Sequence, residues 1–479
     1  MDKKPSPARG PHPARGSDAG APRSLRTGPS ARSVARRVLA RVAEDSGVYA
    51  TLALHGELDR SGFSLRDRGL CVELCYGVLR QRLRLDRALN ACADCGLARL
   101  DDTVRDALRL GAYQLLFTRV PPHAAVDDAV EAVKRLRGPG LAGFVNALLH
   151  RLVKQGEPPL PEGQDRNALS LRHSLPPWAV DDAQARFSPE EAAVYLAALN
   201  LPPPLWLRLN LQRGQGEALL TAARASLPGV TLHPSPRLPE AVRAEGPTFG
   251  GSGLGAGLFT VQDLGAQLVS HLLLAGEPPL PSGAALLDAC AGVGGKSTHL
   301  ATLTGDLVDV DAVDLSARKL ELGQDLAHRL GLTRVHAKIA DLTNAVQRDA
   351  ALRPRYAAAV LDAPCSGLGV LRRHPEVRWR GRPQVAELAA LQGRLLRAVA
   401  ERVAPGGCLV YSVCTYTEEE GAQQVRAFLA ERPEFTVAPP PPGDARFAGL
   451  LDAEGALRTW PHRDQADGFY AVRLRRAAG

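Results

Sequence analysis

At 479 residues the chain is too long for one ordinary domain, and its 45% hydrophobic content is enough to bury a sizeable core. A net charge of +8 and a pI near 9.2 lean towards a polyanionic partner, although an Arg-rich solvated surface gives the same totals. No secretory apolar segment or window of membrane-spanning length is found, and eight cysteines are scattered without a dense framework, so a soluble, cytoplasmic chain with reduced thiols is expected. Residues 1–30 are rich in Pro, Gly, Ser, Ala and Arg, and a disordered basic tail is predicted there. From 31 to 155 apolar residues recur at three and four, as in Val34, Val38, Leu39 and Val42, or Leu70, Leu74 and Val78. Turns fall at Pro121-Pro122 and Gly138-Pro139-Gly140, and the pattern predicts an all-helical domain. Cys71, Cys75, Cys92 and Cys95 invite a zinc reading. However, Cys71 and Cys75 lie in a helical pattern and alanines flank Cys92, so buried thiols and no metal are expected.

Pro158 to Pro161 form a Pro-rich linker. Residues 170–260 mix short helices with strands such as Leu205 to Asn210, which predicts a small α+β lobe. From 261 to 479 strands and helices alternate. Apolar runs at 285–287, 308–313, 335–339, 357–361 and 408–413 predict an α/β, doubly wound, mostly parallel Rossmann-like sheet with its ligand at the carboxyl ends of the strands.

The first of these strands runs into LDACAGVGGKSTHL, a buried run, a Gly-rich turn and a helix start. A phosphate-binding P-loop is rejected, because Cys290 stands where its first Gly is required. A dinucleotide site fits Gly292 and Gly294, but Ser297 replaces its third Gly. An S-adenosylmethionine site needs only the tight turn and an acid after the next strand. Acids close four successive strands, Asp288, Asp314, Asp341 and Asp362, and Asp314 stands where such folds hold the ribose. Asp341 stands where a carboxylate commonly meets the adenine. Cysteines follow two adjacent strands, Cys365 and Cys414, where packing does not call for them and two ligands are too few for structural zinc. Nucleophilic chemistry remains, with a helix start and Arg372 and Arg373 expected to lower a thiol pKa.

Two resemblances sharpen these readings. LRLGAYQLLF, VPPHAAVDDAVEAVKRL and FVNALLHRL resemble the helical RNA-binding domain of the NusB family. The resemblance implies a basic RNA-binding face from Arg80, Arg82, Arg84, Arg87, Lys134, Arg135, Arg137, Arg151 and Lys154, each of which also fits a solvated helix surface. DACAGVGGKSTH, LDAPCSGLGVLRRHPEVRW and LVYSVCT resemble motifs of the RNA cytosine carbon-5 methyltransferases, and with the front domain the chain resembles the bacterial RsmB (Sun, Fmu) group acting on 16S rRNA. That resemblance implies Cys414 as the nucleophile at carbon-6, Cys365 in product release, and Asp362 at the base near N3. It implies S-adenosylmethionine as cofactor, wrapped by Cys290, Ala291, Gly292, Val293, Gly294, Gly295 and Lys296, with Asp314 on the ribose, Asp341 on the adenine and Asp362 alongside. Arg372, Arg373 and His374 would contact the RNA backbone or shape the base pocket, or form a solvated basic loop. The chain departs from the family at Gly292-Val293, Val413 and Gly421, none of which touches an atom that changes bonds. A monomer is expected. The alternatives are the same chemistry on tRNA or another rRNA site, an RNA-binding antitermination factor without activity, and a nicotinamide-dependent oxidoreductase.

Overall fold

The computed structural model describes residues 29–45, 48–94, 96–246, 256–281 and 283–479. The expected N-terminal tail lies almost wholly outside the described residues, as does Cys95. Seven helices open the described chain: α1 (Ala31–Glu44), α2 (Ala50–Ser61), α3 (Leu65–Arg80), α4 (Arg82–Cys92), α5 (Asp102–Phe117), α6 (Pro122–Arg137) and α7 (Pro139–Gln155). Side chains of Ser30, Ser64 and Asp101 accept first-turn N–H groups of α1, α3 and α5, while Pro starts α6 and α7. Val34, Val38, Leu74, Leu108, Val145 and Leu149 share one core, with Cys71 and Cys75 buried among them. Cys92 is also buried, and its thiol donates to Gln155 Oε1 at 3.2 Å. Helices α3 and α5 cross so closely that a Cβ on Gly77 would sit 2.0 Å from the Tyr113 ring.

The Pro-rich linker is pinned to this bundle, since Arg87 donates to the carbonyls of Pro158 and Pro159 at 2.9 and 2.7 Å. Next come α8 (Arg166–His173), α9 (Pro177–Arg186) and α10 (Pro189–Ala198). Their apolar faces share a core with Leu368, Leu371, Val377, Tyr416 and Trp460 of the last domain, so these helices support its loops. A four-stranded antiparallel sheet, in the order β2-β3-β1-β4, then forms from β1 (Leu205–Leu209), β2 (Thr231–Pro234), β3 (Ala241–Glu245) and β4 (Phe259–Val261), with α11 (Gly216–Ala225) packed on it.

The last domain begins with α12 (Leu264–Leu274) and alternates β5 (Ala285–Ala289), α13 (Gly295–Leu303), β6 (Asp309–Asp314), α14 (Ala317–Leu330), β7 (Val335–Ile339), α15 (Ala345–Ala351), β8 (Tyr356–Asp362), α16 (Val385–Ala400) and β9 (Val403–Val413). It closes with α17 (Ala422–Glu431), β10 (Phe435–Val437), β11 (Leu457–Thr459) and β12 (Phe469–Arg476). Strands β7, β6, β5, β8 and β9 are parallel neighbours in that order, and β12 adds antiparallel to β9. The predicted α/β class and mostly parallel sheet are therefore found. Strand order reverses at β5, between β6 and β8, which is where a doubly wound sheet opens a ligand crevice. Among the described residues no helix is long and apolar enough to cross a membrane.

Candidate active site

The Gly-rich turn leaves β5 into that crevice. Cys290 takes a left-handed φ of 62°, unusual for a side-chain-bearing residue, and Gly292 and Gly294 follow at 57° and 77°. A Cβ on Gly294 would meet the Gly323 backbone at 2.9 Å, so that glycine lets α13 pack on α14. A Cβ on Gly292 would meet nothing within 4 Å, so its backbone borders open space. Asp314 anchors the turn: one carboxylate oxygen accepts from Gly292 N and the other from Ser316 N, each at 2.9 Å. Open space edged by glycine backbone and a strand-end carboxylate suits the sugar and amino-acid portions of a nucleoside cofactor. Ala291 is tied by its N–H to Val313, while Val293 is exposed. Asp341, after β7, accepts from Thr343 N and Oγ1 at 2.8 and 2.7 Å, bonds that hold its carboxyl below the usual range.

Asp288 and Lys296 turn inward instead. Asp288 is fully buried, accepts from Ser297 Oγ at 2.5 Å, and is pushed up to about 7 by burial. Lys296, predicted to wrap the cofactor, pairs with Asp362 Oδ2 across β5 and β8, with its ammonium 5.6 Å from the Phe469 ring centroid. Ser412 of β9 donates to the other Asp362 oxygen at 2.8 Å. Asp362 thus has a cation and a hydroxyl fixing its orientation. Neither pairing was legible in the sequence, because both depend on which strands are neighbours.

The adjacency of β8 and β9 brings the two strand-end cysteines together, with sulfurs 3.4 Å apart. The expected lowering of a thiol pKa is not met. No α-helix starts at either residue: the next ones open at Val385 and Ala422. Cys414 is held well above the ordinary thiol range by its hydrogen bond to Cys365 and by burial, with Lys296 the cation that opposes this. Arg372 and Arg373 are engaged elsewhere. The pair rests on a compact frame. Buried Glu420 accepts from Ser366 N and Oγ at 2.8 and 2.5 Å and from Thr417 Oγ1 at 2.9 Å, joining the loops after both cysteines. Gly369 N donates to Cys414 O at 3.0 Å and Gly468 N to Gly369 O at 2.9 Å. A Cβ on Gly369 would lie 2.0 Å from Gly468 O, so only glycine fits there.

The segment from Arg372 to Arg380 corrects a second expectation. Arg372 is buried and donates to the carbonyls of Leu201, Pro202 and Pro461. Arg373 bridges Asp467 and Asp263 at 2.6 and 3.0 Å. Arg378 is fully buried on Leu199 O, Asn200 Oδ1 and Leu371 O, and Trp379 Nε1 donates to Leu79 O of α3 at 2.8 Å. Glu376 accepts the first N–H of α2 from Ala50 at 2.9 Å. The basic loop therefore staples the helical domain, α10 and the C-terminal strands together. His374, half-buried like Arg373, lies 3.5 Å from Glu376 and has its ring centroid 4.9 Å from that of Tyr49.

The basic residues of the helical domain divide in the same way. Arg80 is buried, Arg82 lies over the Trp379 ring, Arg84 pairs with Glu157 and Arg87 holds the linker. Lys134, Arg135, Arg137, Arg151 and Lys154 are exposed.

Sequence reading also missed Arg208 of β1. Buried between the small lobe and the catalytic domain, it donates to Gly295 O at 2.7 Å and Thr298 Oγ1 at 2.9 Å and so holds the start of α13. Nearby, Glu240 Oε1 accepts from His271 Nε2 at 2.5 Å and His299 Nε2 at 3.0 Å. The donor atoms of these three residues lie within 4.8 Å of one another, a spacing that could hold a metal. Arg446, itself paired with Asp444, sits 3.2 Å from His271 Nδ1, and burial pushes His299 down to about 3, which keeps its ring neutral. The cluster works as a hydrogen-bonded tie between the small lobe, α12 and α13.

Three family models match the chain: the NusB family over 29–154, the ferredoxin-like domain of the RsmF/B-like methyltransferases over 175–248, and 16S rRNA methyltransferase RsmB/F over 279–475. Ribosomal RNA small subunit methyltransferase B of Salmonella typhi is 35% identical over 412 residues, which cover 85% of this chain and 90% of the relative. Its Klebsiella pneumoniae counterpart is 34% identical over 398 residues, covering 81% and 89%. Among solved structures, PH0851 superposes with a TM-score of 0.77 at 22% identity, over 93% of this chain and 98% of that one. NSun6 from Pyrococcus horikoshii, solved with SFG, superposes at 0.54 and 20% identity, over 64% and 99%. Those two likenesses establish a shared fold. With a helical front domain, a ferredoxin-like lobe and a Rossmann-like sheet matched in order, and that identity spanning most of both sequences, the chain belongs to the ribosomal RNA small subunit methyltransferase B family.

Proposed function

We propose that the chain transfers a methyl group from S-adenosylmethionine to carbon-5 of a cytidine in 16S rRNA, through a covalent bond between Cys414 and carbon-6 of the base. The observation that carries this reading is the pair of thiols 3.4 Å apart at the ends of β8 and β9, beside an Asp362 held by Lys296 and Ser412. S-adenosylmethionine, when bound, supplies an electrophilic methyl group. Cys290, Ala291, Gly292, Val293, Gly294 and Gly295 would border it, with Asp314 on the ribose and Asp341 towards the adenine.

Carbon-5 of cytosine is a poor nucleophile. Loss of the Cys414 proton and addition of its sulfur to carbon-6 place an electron pair at carbon-5, while Asp362 and its Lys296 partner stabilise the change of charge near N3. Carbon-5 would take the methyl group, leaving S-adenosylhomocysteine, and then give up its proton to solvent. The carbon–sulfur bond breaks, the double bond re-forms, and Cys414 leaves as a thiolate. Cys365 serves this release. The raised pKa of Cys414 fits a nucleophile that rests as a thiol and loses its proton only with substrate in place. The base must be presented outside a helical stack, since a thiol cannot reach carbon-6 within one.

The test incubates the purified protein with methyl-labelled S-adenosylmethionine and unmodified 16S rRNA, followed by nucleoside analysis. The expected product is 5-methylcytidine at one position. Cys414→Ala should transfer nothing, and Cys365→Ala should accumulate a protein–RNA adduct that survives denaturing electrophoresis. Full turnover by Cys414→Ala would overturn the mechanism. Transfer to tRNA alone would keep the chemistry and replace the substrate.

A further inference from the structure

Tyr49 of the helical domain packs on the loop that follows Cys365. The connection between α1 and α2 ends at Tyr49, immediately before the α2 N–H that buried Glu376 accepts. Arg380 donates to Val48 O at 2.5 Å and places its guanidinium 5.2 Å from the Tyr49 ring centroid, and the His374 ring meets it edge-on. Tyr49 is thereby fixed by three residues of the catalytic domain, yet it stays 40% exposed. Among the described residues no other Phe, Tyr or Trp is exposed to that degree. His374, whose ring Tyr49 meets, lies on the loop that follows Cys365: His374 N donates to Val370 O at 2.8 Å, and Gly369 N next to it donates to Cys414 O at 3.0 Å.

An exposed aromatic ring, pinned from behind and seated on the loop that joins the two cysteines, is what a nucleotide drawn out of a helix needs for stacking. Arg380 also lines a cavity of about 300 Å³ between the two domains, where Arg105 and Arg109 are paired with Asp102 and Asp106 and Arg82 lies over the Trp379 ring. Resting on the cytidine methyltransferase reading above, we propose that Tyr49 is a substrate-positioning residue, the aromatic face against which the nucleotide entering the Cys414 site stacks. The front domain then supplies part of the base pocket as well as general affinity.

The test compares Tyr49→Ala, Tyr49→Leu and Tyr49→Phe in the full chain with unmodified 16S rRNA. Loss of one base–aromatic stack predicts a fall in kcat/KM for RNA of about 10- to 100-fold for Ala and for Leu, with Phe restoring the rate and the Kd for S-adenosylmethionine unchanged in all three. Leu keeps apolar bulk at the domain junction, so a purely packing role would leave it active. A second measurement uses RNA with a fluorescent cytosine analogue at the methylated position, bound to the Cys414→Ser protein. Emission should be quenched with Tyr49 or Phe present and not with Leu. If Leu matches Phe in both rate and quenching, the proposal is overturned while the methyltransferase reading stands. If the unaltered protein makes no 5-methylcytidine in any RNA, both fall together.

Discussion

Two loops of the catalytic domain, one glycine-rich and one basic, use their polar groups in opposite ways. The turn from Cys290 to Gly294 is held from below by Asp314 and leaves backbone facing open space. The segment from Arg372 to Arg380 spends nearly every charged side chain on carbonyls and carboxylates of other parts of the fold. A ligand site keeps polar groups unsatisfied by protein, whereas a staple saturates them, and charge alone does not tell the two apart.

The sharpest test of that contrast lies at the point where the two regions approach each other. Lys296→Met removes the cation from Asp362 and should lower kcat by at least about 100-fold, measured at saturating cofactor and RNA. Loss confined to the KM for S-adenosylmethionine would instead place Lys296 with the ligand-facing turn. Glycine substitutions separate the loops next. Gly369→Ala forces a Cβ against Gly468 O and should displace the Cys414 loop, with activity lost together with several degrees of Tm. Gly292→Ala meets no neighbour but adopts a left-handed φ, so it should cost about 1 kcal/mol and appear as a few-fold weaker cofactor Kd by calorimetry.

Arg373→Met leaves Asp263 and Asp467 buried without their shared cation, and should lower unfolding free energy by about 3–5 kcal/mol in urea titrations. A loss of RNA affinity with no loss of stability would return Arg373 to the substrate. A pH series adds a signed effect. Burial keeps the Asp288 carboxyl protonated up to about 7, so between about pH 4 and that value the folded state holds a proton that the unfolded chain has released. Stability from this group therefore falls as pH rises through that window and is flat above it. Asp288→Asn should gain on the parent protein across the same window, read as the difference in urea midpoints at successive pH values. The smallest effect belongs to the exposed set: Lys134→Ala and Lys154→Ala should leave stability within about 0.5 kcal/mol and reduce the salt slope of RNA binding by about 1 for each phosphate no longer neutralised.

The sequence carried the strand ends well, because a buried apolar run followed by an acid or a cysteine is a local pattern. Five parallel strands place Cys365 beside Cys414, and that adjacency needs only the order of the sheet. What stayed hidden depends on distant partners. Asp362 meets a lysine of α13 and a serine of β9, and Cys414 has its pKa raised by Cys365 and burial, where arginines were expected to lower it. In one dimension Arg372, Arg373 and Arg378 look like surface charge, since nothing local announces the carbonyls of Leu199, Pro202 or Pro461. Arg80 and Arg87 mislead for the same reason, and Tyr49 reaches its neighbours from another domain.

The bond from Glu376 to the start of α2, with Trp379 on Leu79 O, has a further consequence. The Pro-rich linker marks a boundary in covalent connectivity but not in mechanics. Cut there, the two fragments would each keep a complementary face of apolar surface and unmet donors, and would find one another again. Across that linker Glu376, Trp379 and Arg380 remain bonded to the helical domain without any covalent tether nearby.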